Sequence, residues 1–258
     1  MDLLATAMKS TLQLISRHQR LAARLTCLLC ASLLCSAAWA GVFSVSPVRI
    51  HLEPKSRAVA VTVTNDGDEE LVMQADVYLW KQKPGGEEDL TLTEDVFLSP
   101  PIFKVSPKSR QVVRLATLRP APTTQQLTYR VIVREIVEAR PPKEGVQVQV
   151  ALAFSIPIFI TPPAARHQLA CDAQRVTTST VTANCENTGN AFVLPRQFAL
   201  TGALGQPLGS LDSGGYILPG IKRSFEIKHT ERIPAGKAKL TATLDDATLR
   251  SFDVTVAE

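Results

Sequence analysis

Three observations predict an all-β chain of antiparallel sandwiches. Short runs of alternating apolar residues, separated by turn residues, recur along the chain, and no segment has a helical period; that pattern argues for a sandwich. One run, Val146 to Ile160, alternates without a miss. Finally, the length left after an N-terminal leader is removed suits two domains of about 100 residues each.

The leader comes first. Arg17, Arg20 and Arg24 precede an apolar run from Leu25 to Ala38, and Ala38-Trp39-Ala40 supplies a small-x-small cleavage site. This is the pattern of a secretory signal peptide over residues 1–40, with a long basic region. The run of fourteen residues falls short of the ~20 that a bilayer span needs. Cleavage after Ala40 is therefore expected, with no stable membrane insertion afterwards. Cys27, Cys30 and Cys35 fall in the leader, and the bulky Leu34 argues against lipoprotein processing.

The remaining 218 residues, Gly41 to Glu258, carry almost no net charge. The whole chain has 28 Lys and Arg against 24 Asp and Glu, but four of the bases and one acid lie in the leader, leaving +1. No nucleic-acid partner is indicated. The two cysteines left, Cys171 and Cys185, most simply form one disulfide in a secreted chain. Closing a loop of about fifteen residues is worth ~3 kcal/mol on the chain-entropy model. No histidine or third cysteine lies at ligand spacing, so neither a metal nor a cofactor is expected.

Strands are expected at Val42–Leu52, Ala58–Thr64 and Leu71–Trp80, the last after a turn at Asn65-Asp66-Gly67-Asp68. Lys83-Pro84-Gly85-Gly86 is a loop. Ile102–Val105, Gln111–Leu115 and Leu127–Ile136 follow, before the long alternating run. Thr161-Pro162-Pro163-Ala164-Ala165 interrupts the pattern and divides the chain into a first domain, 41–163, and a second, 164–258. In the second domain, strands are expected at Thr180–Cys185, Ala191–Leu200, Ser224–Lys228, Lys237–Leu244 and Leu249–Val256.

The long run has one apolar face: Val146, Val148, Val150, Leu152, Phe154, Ile156, Ile158 and Ile160. Gln147, Gln149, Ala151, Ala153, Ser155, Pro157 and Phe159 lie between them, mostly small or polar. At ~3.3 Å per residue it would span roughly 50 Å, against ~17–20 Å for a common strand. A small sandwich covers only part of that length, and the rest is an apolar edge that needs a partner.

Several motifs, in order and spacing, resemble the periplasmic chaperones of the chaperone–usher pathway, nearer their archaic or spore-coat-like branch. They are Ser46-Pro47-Val48-Arg49, Val61-Thr62-Val63-Thr64-Asn65-Asp66-Gly67, Trp80, Tyr129-Arg130 and Arg134-Glu135-Ile136. In the second domain they are Asn187-Thr188-Gly189-Asn190 and Gly215-Tyr216-Ile217-Leu218-Pro219-Gly220. The resemblance implies two immunoglobulin-like sandwiches set in an L with a subunit-binding cleft at their junction. It also implies periplasmic location, pilin or fimbrial subunits as clients and an outer-membrane usher as recipient.

In such chaperones the long strand fills the apolar groove of an incomplete subunit by β-augmentation. On that reading Val146, Val148, Val150 and Leu152 are donor residues, each worth ~1.5–3 kcal/mol if fully buried by the subunit. Phe154, Ile156, Ile158 and Ile160 pack within the first domain instead. Arg49 aligns with the cleft arginine that takes the subunit's C-terminal carboxylate, a role suited to a planar, permanently charged fork. Pro157 stands where better-known relatives place a lysine, and Arg130, Arg134 or Lys104 is left to supply the second cation. Pro157 also lacks an N–H, so the ladder is expected to bulge or break there. The loop Val137–Gly145 aligns with a region contributing to usher recognition. A self-capping oligomer is a further association that such an edge admits.

Two rival readings are weaker. An enzyme is disfavoured because His51, His167 and His229 are spread over both domains with no metal or nucleophile motif near them. The second is a structural subunit or adhesin module of the fibre. Such subunits carry an alternating N-terminal extension and an incomplete single domain, whereas Gly41-Val42-Phe43 leads almost directly into a strand.

Overall fold

The computed structural model describes residues 43–53, 55–137, 151–212 and 214–257. The leader, residues 1–40, with its cleavage site lies outside them, as do Val146, Val148 and Val150. Every regular element among the described residues is a strand.

The first ten strands are β1 (Phe43–Ser46), β2 (Ile50–Leu52), β3 (Ala58–Asn65), β4 (Leu71–Gln82), β5 (Glu88–Leu92), β6 (Val96–Ser99), β7 (Ile102–Val105), β8 (Arg110–Thr117), β9 (Leu127–Glu135) and β10 (Ala153–Ile160). They make a sandwich of two sheets, one ordered β1-β3-β8-β6 and one ordered β2-β10-β9-β4-β5 with β7 also on β4. Alternation decides what lies between them. Val61, Val63, Val113 and Leu115 from the first sheet meet Met73, Val77, Tyr129, Val131, Ile156, Ile158 and Ile160 from the second, all buried. The Tyr129 hydroxyl donates to Asp95 (3.0 Å). Burial and that carboxylate push its pKa well above the ordinary phenol value.

The expected single strand over Val42–Leu52 is two strands in different sheets. β1 pairs with β3, whereas β2 pairs in parallel with β10. Pro47 explains the break, since it offers no N–H to a continuing ladder. The strands β5, β6, β11 and β14 add to the expected set; β5 is mostly exposed, with little apolar pattern to read.

The second sandwich contains β11 (Leu169–Thr177), β12 (Thr180–Asn187), β13 (Pro195–Gly202), β14 (Pro207–Leu211), β15 (Lys222–Lys228), β16 (Gly236–Leu244) and β17 (Leu249–Val256). They follow the order β11-β12-β15-β14-β13-β16-β17, and the two end strands lie against each other. Cys171 and Cys185 face each other across the β11–β12 hairpin and form a disulfide with Cα atoms 4.1 Å apart. Arg175 fastens the other end of β11, donating to the carbonyls of Ala257 (2.6 Å) and Ile233 (2.8 Å).

A third apolar cluster joins the sandwiches: Trp80 and Phe159 from the first meet Phe192, Leu194 and Leu218 from the second. Phe159, on the outward face of β10, is fully buried, its ring 4.1 Å from that of Phe192 and stacked on it. The strict one-faced alternation thus fails at Phe159, because the second sandwich covers the outer face there. Two glutamines frame this cluster. Gln82 accepts from the Leu218 N–H (2.9 Å) and donates to the Tyr216 carbonyl (2.9 Å). Gln126 accepts from the Phe192 N–H (2.9 Å) and donates to Thr161 (2.8 Å). Buried polar groups so paired cost little to desolvate.

Candidate functional site

The outer face of the six-stranded sheet, beside this junction, gathers the charged candidates. Ile50 and Leu52 point into the first core, so the alternate positions, Arg49 and His51, belong to the opposite face. Arg49 reaches across to the second sandwich. Its Nε donates to the Tyr216 hydroxyl (3.0 Å) and its Nη1 to Asp245 Oδ2 (2.5 Å). The guanidinium lies 5.6 Å from the Phe192 ring centre and 5.5 Å from that of Tyr216. Burial opposes its charge, but Asp245 and Tyr216 outweigh that and hold the pKa above the ordinary value. Asp245 escaped the sequence reading because its partner lies 196 residues away and no local motif announces the pairing.

His51 stands next along the same face, its ring 5.5 Å from Phe159. Partial burial lowers its pKa, and the nearby Arg49 charge lowers it further.

Pairing places the other candidates. In the β2–β10 register Ile50 stands opposite Ile158, so Arg49 precedes β2 at the level of Pro157. On the other flank Pro157 pairs with Arg130 of β9. Arg130 therefore comes to the Pro157 position from one side and Arg49 from the other. Arg130 is largely buried, ion-paired with Glu88, bonded to Ser155 Oγ (3.3 Å) and seated 4.0 Å from the Trp80 ring centre. Arg134 sits four residues further along β9, opposite Ala153 and paired with Asp76. Lys104, on β7, pairs with Glu70 at 2.8 Å. Two strands, β9 and β4, separate β7 from β10, so Lys104 lies roughly 14 Å away across the sheet.

The described part of the long run begins just before β10. Leu152 is half-buried against the first core, and its carbonyl accepts from the Glu135 N–H (3.1 Å). Ile156, Ile158 and Ile160 lie in that core as expected. Phe154 does not; it is 36% exposed, its ring set edge-on to that of Phe43 at 5.1 Å between ring centres. The bulge expected at Pro157 is absent. The β9–β10 register runs unbroken from Ala153 to Ile160. In an antiparallel ladder alternate residues make no bond to that neighbour, and pairing with β2 starts only at Ile158, so no donor is missed. Among the described residues, Ala153–Pro157 pairs with β9 alone, leaving its other edge open. In the loop Val137–Gly145, residues 138–145 lie outside the described residues.

Residues 42–166 match the family model of the pili and flagellar-assembly chaperone, PapD N-terminal domain. Among solved structures, a chain of the CsuC–CsuE chaperone–tip adhesion subunit pre-assembly complex from archaic chaperone–usher Csu pili of Acinetobacter baumannii aligns with a TM-score of 0.60. Identity is 21%, over 84% of this chain and 100% of that one. A chain of the Salmonella enterica SafA pilin–SafB chaperone complex aligns at 0.55 and 13% identity, over 85% of this chain and 98% of that one. The Pseudomonas aeruginosa CupB2 chaperone aligns at 0.51 and 17% identity, over 83% and 100%. No match was found among curated proteins. These likenesses show the fold: two β-sandwiches of the pilus-chaperone type. Over residues 42–166, the first sandwich is thus similar to the N-terminal domain of the pilus-assembly chaperones.

Proposed function

We propose that this chain is a periplasmic chaperone that captures pilin-like subunits by donor-strand complementation and hands them to an outer-membrane usher. The open edge of β10 at Ala153–Pro157, beside Arg49, carries the reading. A strand of the subunit bonds its backbone to that edge, while Val146, Val148 and Val150 enter the subunit's groove and Leu152, half-buried on its own core, fills the near end. The ladder supplies affinity and the alternation fixes register, because a slip of one residue would turn every side chain to the wrong face.

Arg49 is the anchor for the subunit's C-terminal carboxylate. Arg130 is the second cation best placed to join it, flanking Pro157 from the other side. Arg134 and Lys104 are set further off. Domains of 41–163 and 164–258 then divide the work, the first presenting the donor strand and the second closing the cleft.

A periplasmic pull-down of the tagged mature chain, with mass spectrometry, tests this. A stoichiometric, small, secreted β-rich protein should accompany the wild type and be lost from the Val148→Asp/Val150→Asp variant, whose circular dichroism stays unchanged. Undiminished capture by that folded variant removes the donor assignment. Arg49→Ala should lower the yield of the captured subunit, and a full yield removes the anchor role.

A further inference from the structure

The proposed anchor is not idle in the free chain. A guanidinium offers a carboxylate two bidentate forks, the Nη1/Nη2 end and the Nε/Nη2 side. One atom of each fork is engaged here, Nη1 by Asp245 (2.5 Å) and Nε by the Tyr216 hydroxyl (3.0 Å). Nε has a single hydrogen, so the Tyr216 contact closes the side fork, while Asp245 draws on Nη1 and competes with any second carboxylate for the end.

Asp245 is not needed by its own turn. It follows β16, and its N–H is held by the Leu194 carbonyl (3.0 Å). The turn is closed by the Ala247 N–H on the Leu244 carbonyl (3.0 Å), and its side-chain acceptor is Asp246, which takes the Thr248 N–H (2.9 Å). The Asp245 carboxylate is thus spent on Arg49. It also has somewhere to go. A cavity of about 210 Å³, lined by His167, Phe192, Leu244, Asp245 and Asp246 among others, opens beside it.

We infer that Asp245 is a built-in stand-in for the client's terminal carboxylate: it occupies Arg49 in the empty cleft and is displaced when a subunit's C-terminus arrives. This rests on the carboxylate-anchor role proposed for Arg49. The stand-in keeps a partly buried guanidinium paired while the cleft is empty, sparing it the cost of an unpartnered charge. It also weakens capture, which favours later release. The pair is about a quarter exposed, its side chains at 26% and 20%. A pair of that exposure is a modest competitor, and its removal should strengthen binding roughly three- to tenfold.

The test uses the mature chain and a fluorescein-labelled hexapeptide, Thr-Val-Thr-Val-Thr-Phe, with either a free carboxylate or a terminal carboxamide, followed by anisotropy. The wild type should prefer the acid, and Arg49→Ala should abolish that preference. Asp245→Asn should raise affinity for the acid three- to tenfold and leave the amide unchanged. If the acid preference depends on Arg49 but Asp245→Asn binds the acid no tighter, the stand-in is overturned and the anchor survives. If neither the wild type nor Asp245→Asn distinguishes acid from amide, the anchor fails and the stand-in falls with it. Asp245→Ser, which removes the carboxylate and keeps a small polar side chain, decides the matter should Asp245→Asn fold poorly. Tighter acid binding then supports the stand-in, and unchanged binding overturns it.

Discussion

The two sandwiches solve the same edge problem in opposite ways. In the second, the end strands β11 and β17 lie against each other, the Cys171–Cys185 disulfide clips β11 to β12, and Arg175 ties β11 to two remote carbonyls. In the first, the initial strand leaves one sheet for the other at Pro47, and β2 covers β10 only from Ile158 onward. An open edge normally invites aggregation. Here it lies beside a cluster of charged and aromatic groups contributed by the sealed neighbour. The difference teaches that one sandwich supplies an incomplete surface, while the other is complete in itself and lends Tyr216 and Asp245 to the site.

The largest expected effect is at the seam between them. Phe159→Ala empties the space where five large apolar side chains from both sandwiches meet. It should cost about 3–5 kcal/mol, read as a fall in the thermal unfolding midpoint. A loss below 1 kcal/mol would mean that the two sandwiches are energetically independent.

A smaller effect should be nearly equal in the two halves. Asn65 and Asn187, both fully buried, each accept from a glycine N–H two residues on, Gly67 and Gly189 (2.9 Å each). Each also donates to remote carbonyls, Asn65 to Val105 (3.0 Å) and Asn187 to Ile217 (2.8 Å). Replacing either by Ala leaves buried carbonyls unpaired and should cost about 1–3 kcal/mol in chemical denaturation. A large inequality would show that the two turns do different work despite their shared chemistry.

The smallest effect concerns pH. His51 has a folded pKa below its ordinary 6.5, so the unfolded chain binds the extra proton first. Stability should therefore rise with pH through the region just below 6.5 and be lost on acidification. His51→Gln should flatten the dependence there; an unchanged slope would assign it to other groups.

Much of the fold was legible in residues whose partners are local. Alternation in Ala58–Thr64, Leu71–Trp80 and Leu127–Ile136 found β3, β4 and β9, since a half-buried strand writes its burial into every second position. The strand β5 is silent because its largely exposed sides leave little apolar pattern. In the long run, Ile156, Ile158 and Ile160 went into the core as their spacing said, while Phe154 stayed at the edge and Phe159 was buried on the other face. Spacing reports which face a residue takes, but not what covers that face.

The site divides the same way. By itself the sequence determined the all-β class, the cysteine pair and an arginine following the Ser-Pro-Val motif, because each is set by composition or by neighbours a few positions away. Only the tertiary structure decided that Arg49 meets Tyr216 and Asp245, 167 and 196 residues off, and that Arg130 rather than Lys104 comes beside Pro157. Those contacts depend on strand register and on the docking of one sandwich against another. The docking buries Trp80, Phe159 and Phe192 together, a many-body packing event that no local run of residues encodes.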